Sequence, residues 1–189
     1  MKKQKTQKVF KRNDFNSGDG MLTSVWGPSM WHSLHTMSFN FPVNPTQNDR
    51  KNYRSFLKNL VHVLPCRHCR ENLKKNFKCL PITQSVLKNR DTFSRYVYDL
   101  HEHVNKMLNK KSDLTYVEVR ERYEHFRARC NKTKTMKKIK VKKSEKGCID
   151  PLYGTKSKCI IKIVPSETKC DTFQMNKKCE TKRHTLKKY

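Results

Sequence analysis

The stretch VWGPSMWHSLHTMSFNF, residues 25–41, decides the fold. Trp31, Leu34, His35 and Phe39 recur at steps of three and four residues, which places them on one face of a helix, and Pro28 stands near its start. The same periodicity continues outward. Asn48 to Val63 carries the stripe Tyr53, Phe56, Leu57, Leu60 and Val61. A third helix is expected from Cys66 to about Phe77. Asp91 opens a fourth that turns Phe93, Val97, Leu100, Val104 and Leu108 inward, and a short fifth runs from Leu114 to about Arg129. Short links between such segments describe an all-α helical bundle rather than an open sheet.

The chemistry sits where the third helix begins, at Leu64-Pro65-Cys66-Arg67-His68-Cys69. Proline costs no hydrogen bond in a first helical turn, and the unpaired amides there carry the positive end of the helix dipole. A thiol of pKa about 8.5 falls to roughly 3.5–7.5 when a helix terminus or cations stabilise the thiolate. Arg67, His68 and Arg70 adjoin the two cysteines, so the spacing predicts a reactive dithiol with Cys66 the more activated. Two other readings compete. A zinc site needs two more ligands at matching spacing, and Cys79, Cys130, Cys148, Cys159, Cys170 and Cys179 contain no second close pair. A passive staple this short closes too small a loop to remove much chain entropy. The alternating strands of a thioredoxin context are missing as well.

Three ordered blocks, WGPSMWHSLH at 26–35, PCRHC at 65–69 and LHEHVNKMLNKK at 100–111, resemble the FAD-dependent Erv/ALR sulfhydryl oxidases, in the style of the small forms encoded by large DNA viruses. The resemblance spans about residues 22–130. It implies a four-helix bundle plus a short fifth helix that binds FAD and works as a homodimer. It further implies catalytic Cys66 and Cys69, with Cys66 facing incoming thiols of a client protein and Cys69 against the isoalloxazine. Electrons then pass to O2, giving hydrogen peroxide, a transfer that thiols alone cannot make and flavin can. By similarity the FAD contacts are Gly27, Pro28, Trp31, His35, His101, Val104, Asn105, Lys106 and Lys110, with Phe39 and Tyr123 as looser candidates. The residues themselves agree. Trp31 and His35 lie one helical turn apart and offer an aromatic plane and a hydrogen-bonding ring to a flat heterocycle. His101, Asn105 and Leu108 make a second stripe, and Lys106, Lys110 and Lys111 are cations for a pyrophosphate. Aromatic residues at helical spacing also fill ordinary cores, but a His on an apolar face needs a partner.

The chain departs from the family pattern in three places. Many members tie the third helix region to the fourth with a second disulfide; Cys79 fits the first position approximately, and Tyr98 stands where its partner would fall, so that staple is expected to be absent. The motif His-Asn-x-Val-Asn reads His101-Glu102-His103-Val104-Asn105, with Glu102 replacing an asparagine. A second dithiol usually relays electrons from a flexible arm, yet residues 1–20 hold no cysteine, which leaves Cys130, Cys148, Cys159, Cys170 and Cys179 as substitutes.

Composition sets the remaining bounds. The 189 residues carry 43 Lys/Arg against 16 Asp/Glu, a net charge of +27. They suggest one domain with appendages: a basic arm at 1–20, the oxidase-like domain at 21–130 and a largely irregular Cys-containing tail at 131–189. The tail holds 18 Lys/Arg against 5 Asp/Glu, a net of +13. It is expected to begin as a solvated linker and then to form an island at 148–165, where Ile160, Ile161, Ile163 and Val164 read as a short strand or docking segment. Such charge would support weak, salt-sensitive association with nucleic acid or an anionic surface, and a basic nucleic-acid-associated or zinc-binding structural protein is the alternative function. No recognition-helix or stacking signature accompanies it. The N-terminus has no apolar core of a signal peptide and no run could span a bilayer, so host cytoplasm or virion is expected, with the mitochondrial intermembrane space as the alternative. No metal site is expected.

Overall fold

A computed structural model of the chain describes residues 11–128, 147–152, 155–170 and 174–179. Among these residues six α-helices follow one another: α1 Arg12–Phe15, α2 Thr23–Phe39, α3 Gln47–Val63, α4 Arg67–Cys79, α5 Arg90–Met107 and α6 Tyr116–Glu124. A 3-10 turn, Lys177–Cys179, follows in the tail. The described residues contain no β-strand, so the fold is all-α. None of their helices is long and apolar enough to cross a membrane.

Side chains at the helix starts explain most boundaries. Thr46 and Asp49 form a reciprocal capping box on α3, Asn89 and Thr92 do so on α5, and Thr115 and Glu118 on α6. On α4 the cap is Cys66 itself, whose Sγ accepts from the Cys69 amide at 3.3 Å. α2 starts two residues before the expected Val25, which carries Pro28 beyond its first turn. α6 is shorter than expected, ending at Glu124 instead of running on to Arg129.

Leu34, Leu57, Leu60, Leu64, Leu73, Leu87, Phe93, Val97 and Leu100 close the core between the helices, with Phe41 wholly buried beside Phe93 at 4.8 Å between ring centroids. α2 packs against α5 and α6, and α3 against α4. Two expected core positions lie elsewhere. Phe56 is exposed on the outer side of α3, and Leu108 is exposed because α5 has ended at Met107 and the chain turns away. Carbonyls at and just past the ends of α2 and α4 are met by long side chains: Arg90 Nε donates to the Phe41 carbonyl, Arg127 to the Phe39 carbonyl at 2.9 Å and the Tyr96 hydroxyl to the Leu80 carbonyl at 2.8 Å. Cys79 is a free, exposed thiol, and the Tyr98 hydroxyl donates to the Leu114 carbonyl at 2.8 Å.

The tail returns to the helices just past α6. The Leu152 amide donates to the Arg127 carbonyl at 2.7 Å beside an isolated antiparallel bridge between Ala128 and Pro151. Cys148, just before this contact, is disulfide-bonded. The island does not contain the strand expected of it: Ile160, Ile161 and Ile163 stand in irregular chain and are exposed, because no neighbouring strand offers them a ladder. Cys130 and the linker at 131–146 lie outside the described residues.

Candidate active site

The chain segment before α2 is built into the dithiol loop. The Met21 amide donates to the Pro65 carbonyl at 2.8 Å, and Trp26 Nε1 holds the Met21 carbonyl at 3.1 Å. Gly20 lies so close that a Cβ there would stand 2.7 Å from the Pro65 carbonyl oxygen and 3.3 Å from Cys66 Cα. Gly20→Ala should therefore push this segment off the loop at a cost on the order of 1 kcal/mol, read as a lower thermal midpoint and faster exchange of the Met21 amide. Unchanged exchange would show that the segment is not clamped.

Cys66 and Cys69 are both free thiols. The Cys66 thiol is held below the ordinary thiol range, first by its hydrogen bond with the Cys69 side chain and then by the Cys69 amide and the Thr23 hydroxyl. Burial pushes Cys69 the other way, with the Cys66 hydrogen bond adding to the rise. The direction expected for Cys66 is present, and so is part of its expected cause, the amides of the helix start; the neighbouring arginines are not part of it. Arg67 is occupied by Glu71 at 3.0 Å and Arg70 by the Leu64 carbonyl, so local hydrogen bonds rather than these cations stabilise the thiolate. Thr23, with its hydroxyl 3.7 Å from Cys69 Sγ, is a site residue that sequence reasoning missed, since nothing in its spacing from Cys66 announces the contact.

The second cluster lies between α2, α5 and α6. Trp31 stacks on His101 with centroids 4.0 Å apart and planes 8° from parallel, and His35 Nε2 is 3.0 Å from His101 Nδ1. Phe39 and Tyr123 stack at 5.2 Å and both lie beside His35, while His32 Nδ1 meets the Tyr123 hydroxyl at 3.2 Å. His35 is lowered to about 3, first by burial and then by His101 and His32. His101 is lowered to about 4, by burial and then by the charge of Lys110. His35 Nδ1 is buried with no hydrogen-bond partner. Burial raises Tyr123, and the Cys159 thiol of the tail is near enough to add to that rise.

Five of the expected site residues, Trp31, His35, Phe39, His101 and Tyr123, thus come together in one cluster. Gly27 is buried on α2, Val104 and Asn105 are half-buried on α5, and Pro28, Lys106 and Lys110 are exposed around them. Asn105 Nδ2 donates to Glu102 Oε1 at 3.1 Å, so the substituted motif position contacts the asparagine that remains. Trp31 and Cys69 pack against the same apolar core. Among the described residues no three His, Cys, Asp or Glu side chains group as metal ligands would.

Comparison with known proteins gives this arrangement a family. The model of the Erv1 / Alr family matches residues 28–127, which takes in the aromatic cluster and the dithiol. The chain is 35% identical over 104 residues to the "Probable FAD-linked sulfhydryl oxidase" of Acanthamoeba polyphaga mimivirus, covering 55% of this chain and 72% of that one. It is 31% identical over 86 residues to the FAD-linked sulfhydryl oxidase of African swine fever virus, isolate Pig/Kenya/KEN-50/1950, covering 46% and 70% respectively. The crystal structure of a cysteine-to-serine mutant of Erv1 from Saccharomyces cerevisiae shares the fold, with a TM-score of 0.50 and 21% identity over 65% of this chain and 94% of that one. This chain belongs to the Erv1 / Alr family.

Proposed function

We infer that the chain is an FAD-linked sulfhydryl oxidase, which converts thiols of client proteins into disulfides. The observation that carries this reading is the asymmetric dithiol at the start of α4: an outer Cys66 thiol of lowered pKa, and an inner Cys69 packed on the core that also holds Trp31. In its disulfide form Cys66 receives the attack of a client thiolate and Cys69 leaves as the thiol. A second client thiol then attacks the mixed disulfide, and Cys66 departs readily because its thiolate is stabilised.

The cluster between α2, α5 and α6 fits FAD. Trp31, His101, Phe39 and Tyr123 supply aromatic planes, and the unpartnered Nδ1 of His35 needs the polar edge of a heterocycle. Lys106 and Lys110 would hold the phosphates and Asn105 a polar group, while Gly27, Pro28 and Val104 shape the wall. Bound FAD supplies a two-electron acceptor that can be reoxidised by O2, so that a client dithiol and O2 become a disulfide and hydrogen peroxide. The chain's own part is to hold Cys69 against that site and to keep His35 and His101 neutral. The working unit in this reading is a homodimer, acting in host cytoplasm or virion.

Purified protein should be yellow, bleach with dithiothreitol under anaerobic conditions and regain its flavin band when air is admitted, with peroxide formed in proportion to thiol consumed. Colourless protein, or a flavin band indifferent to dithiol, would refute the reading.

A further inference from the structure

The charge of the helical region is unevenly divided between its two functional halves. Residues 80–130, which include α5 and α6, carry 10 Lys/Arg against 7 Asp/Glu. Residues 50–79, which form most of α3, the dithiol loop and α4, carry nine Lys/Arg against a single acid, Glu71. That acid is already paired with Arg67. Lys74, Lys75 and Lys78 lie on α4 about two to three turns beyond Cys66, on the side opposite Leu73 and Asn76, which face the core. All three are exposed, as is His68. α4 rises about 1.5 Å per residue, so Lys74 and Lys75 stand roughly 12–14 Å along the axis from the thiol that receives clients, a little beyond the Debye length of about 10 Å at 0.1 M and well inside it at lower salt.

We propose that this α4 face is the client-docking surface and that it selects thiols carried on acidic segments. The proposal rests on the oxidase reading above and names its substrate class. A visitor here must approach Cys66 to be productive, so it must bring a sulfur, which favours a protein client over nucleic acid. Like charge also excludes one obvious visitor. Cys159, Cys170 and Cys179 each follow a lysine, at Lys158, Lys169 and Lys178, within a tail of net charge +13. The chain's own tail cysteines are therefore poor partners for this surface, and an acidic external client is a good one.

The test uses the full-length flavoprotein and two dithiol peptides that differ only in flanking glutamates or lysines. kcat/KM should favour the acidic peptide by about tenfold at low salt and lose most of that preference by about 0.3 M salt. Lys74→Glu/Lys75→Glu/Lys78→Glu should abolish or invert the preference while dithiothreitol turnover stays unchanged. The same three positions changed to Gln should reduce it, which keeps the test valid if charge reversal perturbs the helix. Fluorescence anisotropy of a labelled acidic peptide with both cysteines replaced by serine reads the docking without flavin or turnover, and the glutamate triple variant should weaken it by a similar factor. Equal kcat/KM for the two peptides, a preference that survives in the triple variants, or an oligonucleotide that displaces the acidic peptide at lower concentration than the unlabelled acidic peptide does would each overturn the proposal. Failure of the oxidase reading would show separately, as absent dithiothreitol turnover in the unmodified protein with the anisotropy preference intact.

Discussion

Cys69→Ser protein should remain yellow and lose more than about a thousandfold of its dithiothreitol turnover. Serine is nearly isosteric with cysteine, slightly smaller and still polar beside Thr23, so the local fold has little reason to change. What disappears is the second sulfur. Cys66 keeps its exposure and the cap on the Cys69 backbone amide, and can still join a thiol partner by exchange with an external disulfide, but no neighbouring thiol remains to resolve the pair. Mixed disulfides at Cys66 should consequently accumulate in this variant, visible as a reductant-sensitive shift in mass. The Cys66→Ser protein should lose turnover on protein clients without trapping them. Robust oxidase activity in Cys69→Ser would remove Cys69 from the role given to it.

Acid should weaken the folded state through the His35–His101 pair. Both rings bind protons less well in the folded protein, at about 3 and about 4, than in an unfolded chain at about 6.5. As pH falls below 6.5 the unfolded state takes up protons that the folded state refuses. The stability they support is thus fully present above that value and is lost progressively until the folded values are reached. Between pH 7 and 4.5 the loss should be about 2 kcal/mol per ring, larger than a typical surface ion pair contributes. Urea unfolding at the two pH values measures it. His101→Gln, which removes one titrating ring and retains a partner for His35, should lose roughly half of the difference. An identical acid response in the variant would show that other groups govern it.

Local pattern carried much of this molecule, and it did so where side chains report on their own helix. Trp31, His35 and Phe39 shared a face because three- and four-residue steps must do so, and the starts expected at Asn48, Asp91 and Leu114 lie within two residues of those observed at Gln47, Arg90 and Tyr116. The pairing of two helical histidines was legible only in part. Each His on an apolar stripe demanded a partner, but that His35 and His101 satisfy one another depends on how α2 packs against α5. Thr23 was invisible for the same reason, since its contact with Cys69 spans 46 positions of chain. The activation of Cys66 was anticipated in direction and, through the amides of the helix start, in part of its cause; the arginines were misassigned, since sequence shows that Arg67 and Arg70 are near and cannot show that Glu71 and the Leu64 carbonyl already occupy them. The island at 160–164 failed in the opposite way. Its β-branched residues fit a strand locally, but a strand exists only against another one.

The hydrogen bond from Tyr98 to the Leu114 carbonyl bears on how the protein endures its own substrates. Within residues 11–128 every cysteine is a free thiol, so apart from the short Cys66–Cys69 couple formed in turnover a millimolar dithiol bath finds no covalent tie there to sever. The helical body should melt at the same temperature with or without reductant, and the redox poise of its surroundings can set the state of Cys66 and Cys69 without touching the architecture that presents them.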